Sequence, residues 1–446
     1  MALTGLLPHI LDLAVVEPSK LPNEARKMAQ LSLMDWLSVS LAGANEPLAR
    51  IVRDFVAADG GMPMATVTGS DFLLPVRSAA LANGTISHAL DYDDTHFAYI
   101  GHPSVAIYPA ALAVAEEIGA TADAVVDAFL VGAEAACRIG MVLGRDHYDA
   151  GFHQTATSGA FGATVAACRL YQMDREQTSM ALGLVSTLAS GLKSQFGTMT
   201  KPFNAGAAAA NGVDAARLAR NGFTASDDAF AGPQSFMAAH HASFHAGSNV
   251  GDMIATWALD RFMFADVRHK LHACCHGTHA MIEALLRLKG GHKFDTGNIA
   301  SIHVHTPQFW LNVCDVKTPR TGLEIKFSYV FLAAMLLEEK NLAAYETYND
   351  AVCTDVVITA LASKVQVVGD ETIADTASLV RIVFHDGGSI EDSFDLLAPL
   401  DLNLLTLRLK AKSTGLIGAN KTDQIWAAIT DGGDVYAADI ARYLKG

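Results

Sequence analysis

Apolar residues recur at helical spacing through most of the chain up to about residue 266. Between Asn23 and Leu41, the residues Met28, Leu31, Met34, Leu37 and Leu41 fall on one helical face, with Pro22 ahead of the run and Gly43 behind it. That spacing predicts a helix. Asp174-Arg-Glu-Gln177 has the form of a capping box and predicts a second helix ending near Gly191. Asn204 to Arg220 predicts a third, with Asn221-Gly222 as its C-terminal stop. Many of these stretches carry Gly, Ala and Ser on the face that must be buried. Small residues let helix axes approach closely, so the pattern predicts a compact helical bundle. No fixed-period repeat runs through the sequence, which argues against a solenoid.

The texture changes after residue 266. Cys274 to Lys289 predicts a helix closed by Gly290-Gly291, followed by strand-like alternation over 299–305, 365–368 and 379–385. The last run meets Asp386-Gly387-Gly388, a hairpin turn signal. From Thr422 to Lys445 the spacing is helical again, and this tail is expected to pack back on the first domain. A chain of 446 residues exceeds what one hydrophobic core usually organises, so two domains are expected.

Composition narrows the function classes. With 51% hydrophobic and 18% charged residues the chain reads as a well-buried globular protein. It contains no run of about 18 uncharged apolar residues, so no membrane span is expected. Its first residues lack a basic segment and a cleavage site, so no signal peptide is expected. Six sparse cysteines in mostly apolar settings fit free thiols in a reducing cytoplasm. A net charge of −15 argues against nucleic acid as a partner. It does not exclude an anionic ligand, because a local basic pocket can overcome the global field.

The sequence has no Gly-rich dinucleotide fingerprint, P-loop, His-Glu-x-x-His or Gly-x-Ser-x-Gly. Four polar clusters stand out instead. The first runs from His88 through Asp91, Asp93, Asp94, Thr95 and His96 to Gly101-His102-Pro103-Ser104; it reads either as a solvated capping loop or as a functional one. The second is Gly151-Phe152-His153 at the start of a helical stretch. A helix N-terminus there would depress the imidazole pKa and keep it neutral. The third is Thr200-Lys201-Pro202-Phe203-Asn204, where an ammonium beside free helix N–H groups would form an anion site. The fourth packs four histidines and two cysteines into residues 269–279. His272, His276 and His279 could share a helical face and bind zinc, but adjacent Cys274 and Cys275 diverge on a helix.

Taken in order and spacing, Leu90-Asp91-Tyr92-Asp93-Asp94-Thr95, Gly101-His102-Pro103-Ser104, Gly151-Phe152-His153 and Thr200-Lys201-Pro202 resemble the MmgE/PrpD family. Trp36 to Gly43 and Phe327-Ser328-Tyr329 extend the resemblance over nearly the whole chain. It implies a mainly α protein: a large all-helical domain, 1–266 plus 399–446, with an inserted α+β lid domain at 267–398. It further implies a homodimer without metal or organic cofactor, acting on a small polycarboxylate. By position, the implied catalytic residues are Asp91, His102, His153, Lys201, Lys270, Cys275 and Tyr329, with Thr95, His102, Lys201, Asn204 and Lys270 binding substrate. Cys275 stands where the decarboxylase-like branch often has histidine.

The implied chemistry is proton transfer at a carbon next to a carboxylate. Lys201, Lys270 and a helix N-terminus would hold the enediolate charge. His153 would form half of an acid/base pair with Cys275, Tyr329, His102 or Lys270, and Asp91 would orient a neighbouring cation. The wording His-Ala-Cys-Cys-His favours epimerisation of iminodisuccinate over a dehydratase or decarboxylase outcome. A zinc-dependent hydrolase built on 269–279 is the rival from another class, and a non-catalytic polycarboxylate-binding scaffold is a second.

Overall fold

The computed structural model describes residues 5–240, 250–399, 401–430 and 435–445. Residues 1–4, in the stretch read for a leader, and 431–434, inside the expected tail helix, lie outside the described residues. With 61% helix against 10% strand, the protein is mainly α. The chain forms two compact units, Met1–His269 with Ile417–Gly446, and Lys270–Leu416.

The first unit is built from α1 (Leu6–Ala14), α2 (Asn23–Gly43), α3 (Pro47–Asp59), α4 (Val76–Ser87), α5 (Pro103–Ile118), α6 (Ala122–Asp149), α7 (Gln154–Leu170), α8 (Arg175–Val185) and α9 (Thr200–Arg220). Two short helices follow, α10 (Phe236–His240) and α11 (Val250–Ala255), and a ribbon pairs β1 (Ala65–Thr66) with β2 (Leu73–Leu74). The apolar face read from α2 is the buried one: Met28, Leu31, Met34 and Leu37 all lie in the core. α7 is buried along almost its whole length, with α5, α6 and α9 packed around it.

Missing side chains make this packing possible. A Cβ on Gly206 of α9 would lie 2.3 Å from the Leu81 carbonyl oxygen of α4, and one on Gly132 of α6 would lie 2.4 Å from the Gly162 carbonyl oxygen of α7. Only glycine allows backbones this close. α8 carries the expected capping box, with Asp174 Oδ1 accepting from the Gln177 amide at 2.8 Å and Gln177 Oε1 from the Asp174 amide at 3.2 Å. It ends at Val185, short of Gly191. α9 starts at Thr200, four residues before the expected Asn204, because Pro202 sits in the first turn, where its missing N–H costs nothing. It ends as expected, with Gly222 at φ +87°.

The second unit comprises α12 (His279–Gly291), β3 (Ile299–Thr306), α13 (Leu311–Cys314), α14 (Gly322–Ile325), α15 (Tyr329–Leu337), α16 (Val356–Ala362), β4 (Val365–Gly369), β5 (Ala377–Phe384), β6 (Ser389–Asp395) and α17 (Leu402–Ile417). The sheet order is β4-β3-β5-β6, with β3 and β4 parallel and the other pairs antiparallel. Ile302, Val304, Val380 and Ile382 form its buried face, and α12 packs against β5 and β6. The β5–β6 hairpin turns at Gly387, φ +86°, as Asp386-Gly387-Gly388 predicts.

Two boundaries differ from expectation. The helix expected from Cys274 begins only at His279, after a 3-10 turn at His276–Thr278. The Cys275 amide instead pairs with the Lys326 carbonyl at 3.0 Å, which pulls this stretch out of helix. α17, assigned by sequence to the helical domain, belongs to the second unit: Arg408 forks onto Glu283 of α12 at 2.9 and 2.6 Å. The chain re-enters the first unit at Ile417, where α18 (Ala419–Thr430) packs on α2 and α19 (Ala437–Ala441) on α5.

Candidate active site

The loop from His88 to His102 joins α4 to α5. It closes on itself through the His96 amide to the Gly101 carbonyl at 2.9 Å, and Thr95 exchanges two 2.8 Å backbone bonds with Arg268. Gly101 has no room for a Cβ, which would fall 2.3 Å from the Tyr99 ring. Asp91 takes φ +50°, a left-handed conformation that aspartate tolerates better than most residues. This turn sends Asp91 outward, with a third of its side chain exposed, while Asp93 two residues on is fully buried.

Asp93 joins two imidazoles. Its Oδ1 accepts from His88 Nδ1 at 2.8 Å, and its Oδ2 lies 2.9 Å from His102 Nδ1. Burial alone would push this carboxyl up; the charge and hydrogen bonds of His88 and His102 outweigh it and hold Asp93 well below the usual carboxylate range. Its neighbour Asp94 has no such cations. Burial pushes it up to about 7, against the bonds it accepts from Ser104 Oγ at 2.6 Å and the Ser104 amide at 3.2 Å, and nearby Asp93 adds to the rise.

Lys201, in the first turn of α9, places its ammonium 2.8 Å from Asp91 Oδ2 and 5.2 Å from the centre of the Phe196 ring. Asp91 Oδ1 is 3.8 Å from His102 Nε2. His153 caps α7 and is 2% exposed, with Nδ1 3.2 Å from the Asn204 amide nitrogen. Its pKa is held well below that of a free imidazole, the direction expected of a helix N-terminus but with other causes. The leading cause is burial, followed by Lys201, His88 and His102, with Asp91 opposing.

Of the residues singled out by sequence in this unit, Asp91, His102, His153, Lys201 and Asn204 come together. The Thr95 hydroxyl is buried without a hydrogen-bond partner and stands apart from this network among the described residues. Sequence reasoning placed His88 and Asp93 in the first polar cluster but gave neither a role. In extended chain the i, i+2 spacing would put Asp91 and Asp93 on one face; the left-handed turn at Asp91 sends them apart, and the spacing carried no signal for it.

The second unit holds the other candidates. Lys270 is buried, and its charge acts on Cys274, His279 and Cys314. Cys275 is half-buried, and its thiol meets that of Cys314, which this bond and then burial push well above the ordinary thiol range. Tyr329 is 1% exposed; its hydroxyl donates to the Gly277 carbonyl at 2.8 Å and lies 2.9 Å from Thr306 Oγ1. Its proton is thus committed to bracing the 275–279 turn. Burial, ahead of Cys314, pushes the phenol well above its usual value.

Among the described residues, metal-ligand spacing is absent from the 269–279 run and present in the loop before α5. In the 269–279 run, His272 Nε2 is 2.8 Å from Glu283, Cys274 Sγ is 3.3 Å from Thr278 Oγ1, and burial holds His279 well below the usual imidazole range. Among the described residues only His88, Asp91, Asp93 and His102 bring donor atoms within 4.8 Å of one another. There Asp93 already faces two imidazoles and Asp91 an ammonium, so the negative charge is balanced by protein groups.

Residues 13–247 match the MmgE/PrpD N-terminal domain, and residues 272–395 match the MmgE/PrpD C-terminal domain. The chain belongs to the MmgE/PrpD family. It is 25% identical over 403 residues to a cis-aconitate decarboxylase of Aspergillus terreus, covering 84% of this chain and 81% of that one. It is 27% identical over 289 residues to the cis-aconitate decarboxylase-like protein oryM of Aspergillus oryzae, covering 61% of this chain and 59% of that one. Human cis-aconitate decarboxylase is 28% identical over 197 residues, covering 43% of this chain and 40% of that one. These MmgE/PrpD relatives are named as decarboxylases, whereas the sequence wording at 272–276 had favoured an epimerase.

Proposed function

We propose that this chain is a lyase that acts, without a cofactor, on a small polycarboxylate by moving a proton at a carbon next to a carboxylate. The observation that carries this reading is the arrangement of Lys201, Asp91 and His102 beside a buried, neutral His153. Removing such a proton loads charge onto an already anionic carboxylate, so the barrier falls only where fixed cations and N–H donors meet that charge. Lys201 supplies the cation. In the resting protein Asp91 holds its ammonium at 2.8 Å; an incoming carboxylate would take the place of Asp91 on that ammonium. The imidazoles supply ring nitrogens that accept a proton or donate a hydrogen bond.

Loss of water and inversion both begin with that proton removal, water loss then expelling a β-hydroxyl and inversion returning a proton to the other face; loss of CO2 instead breaks a C–C bond and delivers a proton to a carbon next to a carboxylate. The names of the relatives favour the lyase outcomes, with loss of CO2 first. Cys275, a thiol where a decarboxylase-like sequence often has histidine, favours inversion as a second reading. The test is a panel: purified protein with cis-aconitate assayed for CO2, with 2-methylcitrate for water loss, and with single stereoisomers of iminodisuccinate for loss of optical purity. Turnover of cis-aconitate or 2-methylcitrate supports the lyase reading, and inversion alone replaces it by the second. No turnover of any of the three sinks both.

A further inference from the structure

Two histidines of the first unit are hydrogen-bonded in opposite senses. His102 Nδ1 lies 2.8 Å from the Asp94 carbonyl oxygen. A carbonyl only accepts, so this nitrogen carries the proton when the ring is neutral. The carboxylate of Asp93, 2.9 Å from the same nitrogen, is likewise only an acceptor and enforces the same choice. Neutral His102 therefore has an unprotonated Nε2, and that is the nitrogen facing Asp91. His153 is reversed. Its Nδ1 lies 3.2 Å from the Asn204 amide nitrogen, which only donates. Its proton therefore sits on Nε2.

We propose that Asp93 and Asn204 are positioning residues that impose opposite tautomers on this pair, making His102 Nε2 the base and His153 Nε2–H a neutral hydrogen-bond donor. The roles rest on the proton step proposed above; the tautomers belong to the resting protein and do not. In the step, the carbon-bound proton passes to His102 Nε2, giving an imidazolium. The electron pair of the broken C–H bond becomes the C=C bond of the enediolate. The charge gathers on the carboxylate oxygens, met by the Lys201 ammonium and the His153 N–H. His153 is not required to lose its proton, which a neutral imidazole gives up reluctantly; it polarises, as a fixed dipole in a dry site does. Addition of a proton to the substrate is the same step run backwards.

His88 explains why one carboxylate serves two rings. It takes Oδ1 of Asp93 through its own Nδ1, and its ring centre lies 4.6 Å from that of His102 and 6.3 Å from that of His153. Asp93 and His88 thus back the His102 ring from inside the core.

The test reads the tautomers directly. Ring-nitrogen NMR spectra of histidine-labelled full-length protein are assigned by loss of signals in His102→Gln and His153→Gln. The expected wild-type result is a protonated Nδ1 on His102 and a protonated Nε2 on His153. Asn204→Asp turns the partner into an acceptor and is expected to move the His153 proton to Nδ1 and lower kcat about 100-fold or more with the fold retained. Asp93→Asn is expected to break the single tautomer of the His88–His102 pair. The same tautomer on both wild-type rings, or tautomers unmoved by either substitution, would overturn the proposal. Opposite tautomers in a protein that turns over no polycarboxylate would sink the functional reading and leave the positioning roles standing.

Discussion

Asp91 sits between two kinds of partner, an ammonium at 2.8 Å and an imidazole nitrogen at 3.8 Å. A carboxylate so placed keeps Lys201 oriented while the site is empty and gives way to a substrate carboxylate of the same charge. Lys201→Ala is accordingly expected to lower kcat/KM about 100- to 1000-fold, measured by steady-state kinetics on whichever polycarboxylate is turned over. His102→Gln is expected to cost more than His153→Gln, because glutamine can still donate an N–H but cannot serve as a base. Equal losses would contradict the division of roles. Asp94 offers a prediction about stability. Its folded pKa is raised from 3.8 to about 7, so the folded state binds the extra proton, and stability is lost as pH rises through that window. The full cost is of order 4 kcal/mol. Asp94→Asn removes it, so variant minus wild-type unfolding free energy, from urea titrations, should climb between about pH 4 and 7 and then level off.

At the scale of elements, the helices of the first unit are set by where side chains are missing. Gly206→Ala pushes α9 off α4 and is expected to destabilise by about 1–3 kcal/mol. Thermal unfolding would read this as a lower Tm with the helical signal kept, and an unchanged Tm would show that the two helices can part. In the second unit, Glu283 is held at about 2 against the pull of burial by His272 and Arg408. A depressed carboxyl contributes stability above about pH 4.5 and loses it as pH falls toward 2. With Arg408 one-third exposed, Arg408→Met is expected to cost only about 1–2 kcal/mol at neutral pH, a gap that shrinks in acid. The helices of the first unit were legible because apolar spacing, Pro22, the Asp174 box and Gly222 act within a few residues. The stretch at 274–278 was not, since its conformation answers to the Lys326 carbonyl some fifty residues away. The family resemblance put residues 399–416 in the helical domain, but Arg408 of α17 is tied to Glu283 of α12, a contact no local pattern announces.

Across the whole molecule, an acidic chain brings one ammonium, Lys201, together with the imidazoles of His88, His102 and His153 despite the net charge of −15. The family motifs made Asp91, His102, His153 and Lys201 visible as ordered words in the sequence. They gave no role to Asp93, which lies within a motif, or to His88 just ahead of it, because their importance comes from facing each other inside the core. Among the described residues no helix is long and apolar enough to cross a membrane. The family resemblance leads us to expect a homodimer of 47.2 kDa chains, which sedimentation equilibrium would read as twice that mass and which a monomer at micromolar concentration would refute. The most direct test of the central claim is proton transfer at carbon. The purified protein would be incubated in D2O with cis-aconitate, 2-methylcitrate and iminodisuccinate, and carbon-bound deuterium followed by NMR. The account predicts deuterium at the carbon next to a carboxylate, entering far more slowly with His102→Gln and Lys201→Ala. Deuterium absent from that carbon in all three, or entering as fast in both variants as in the wild type, would contradict it.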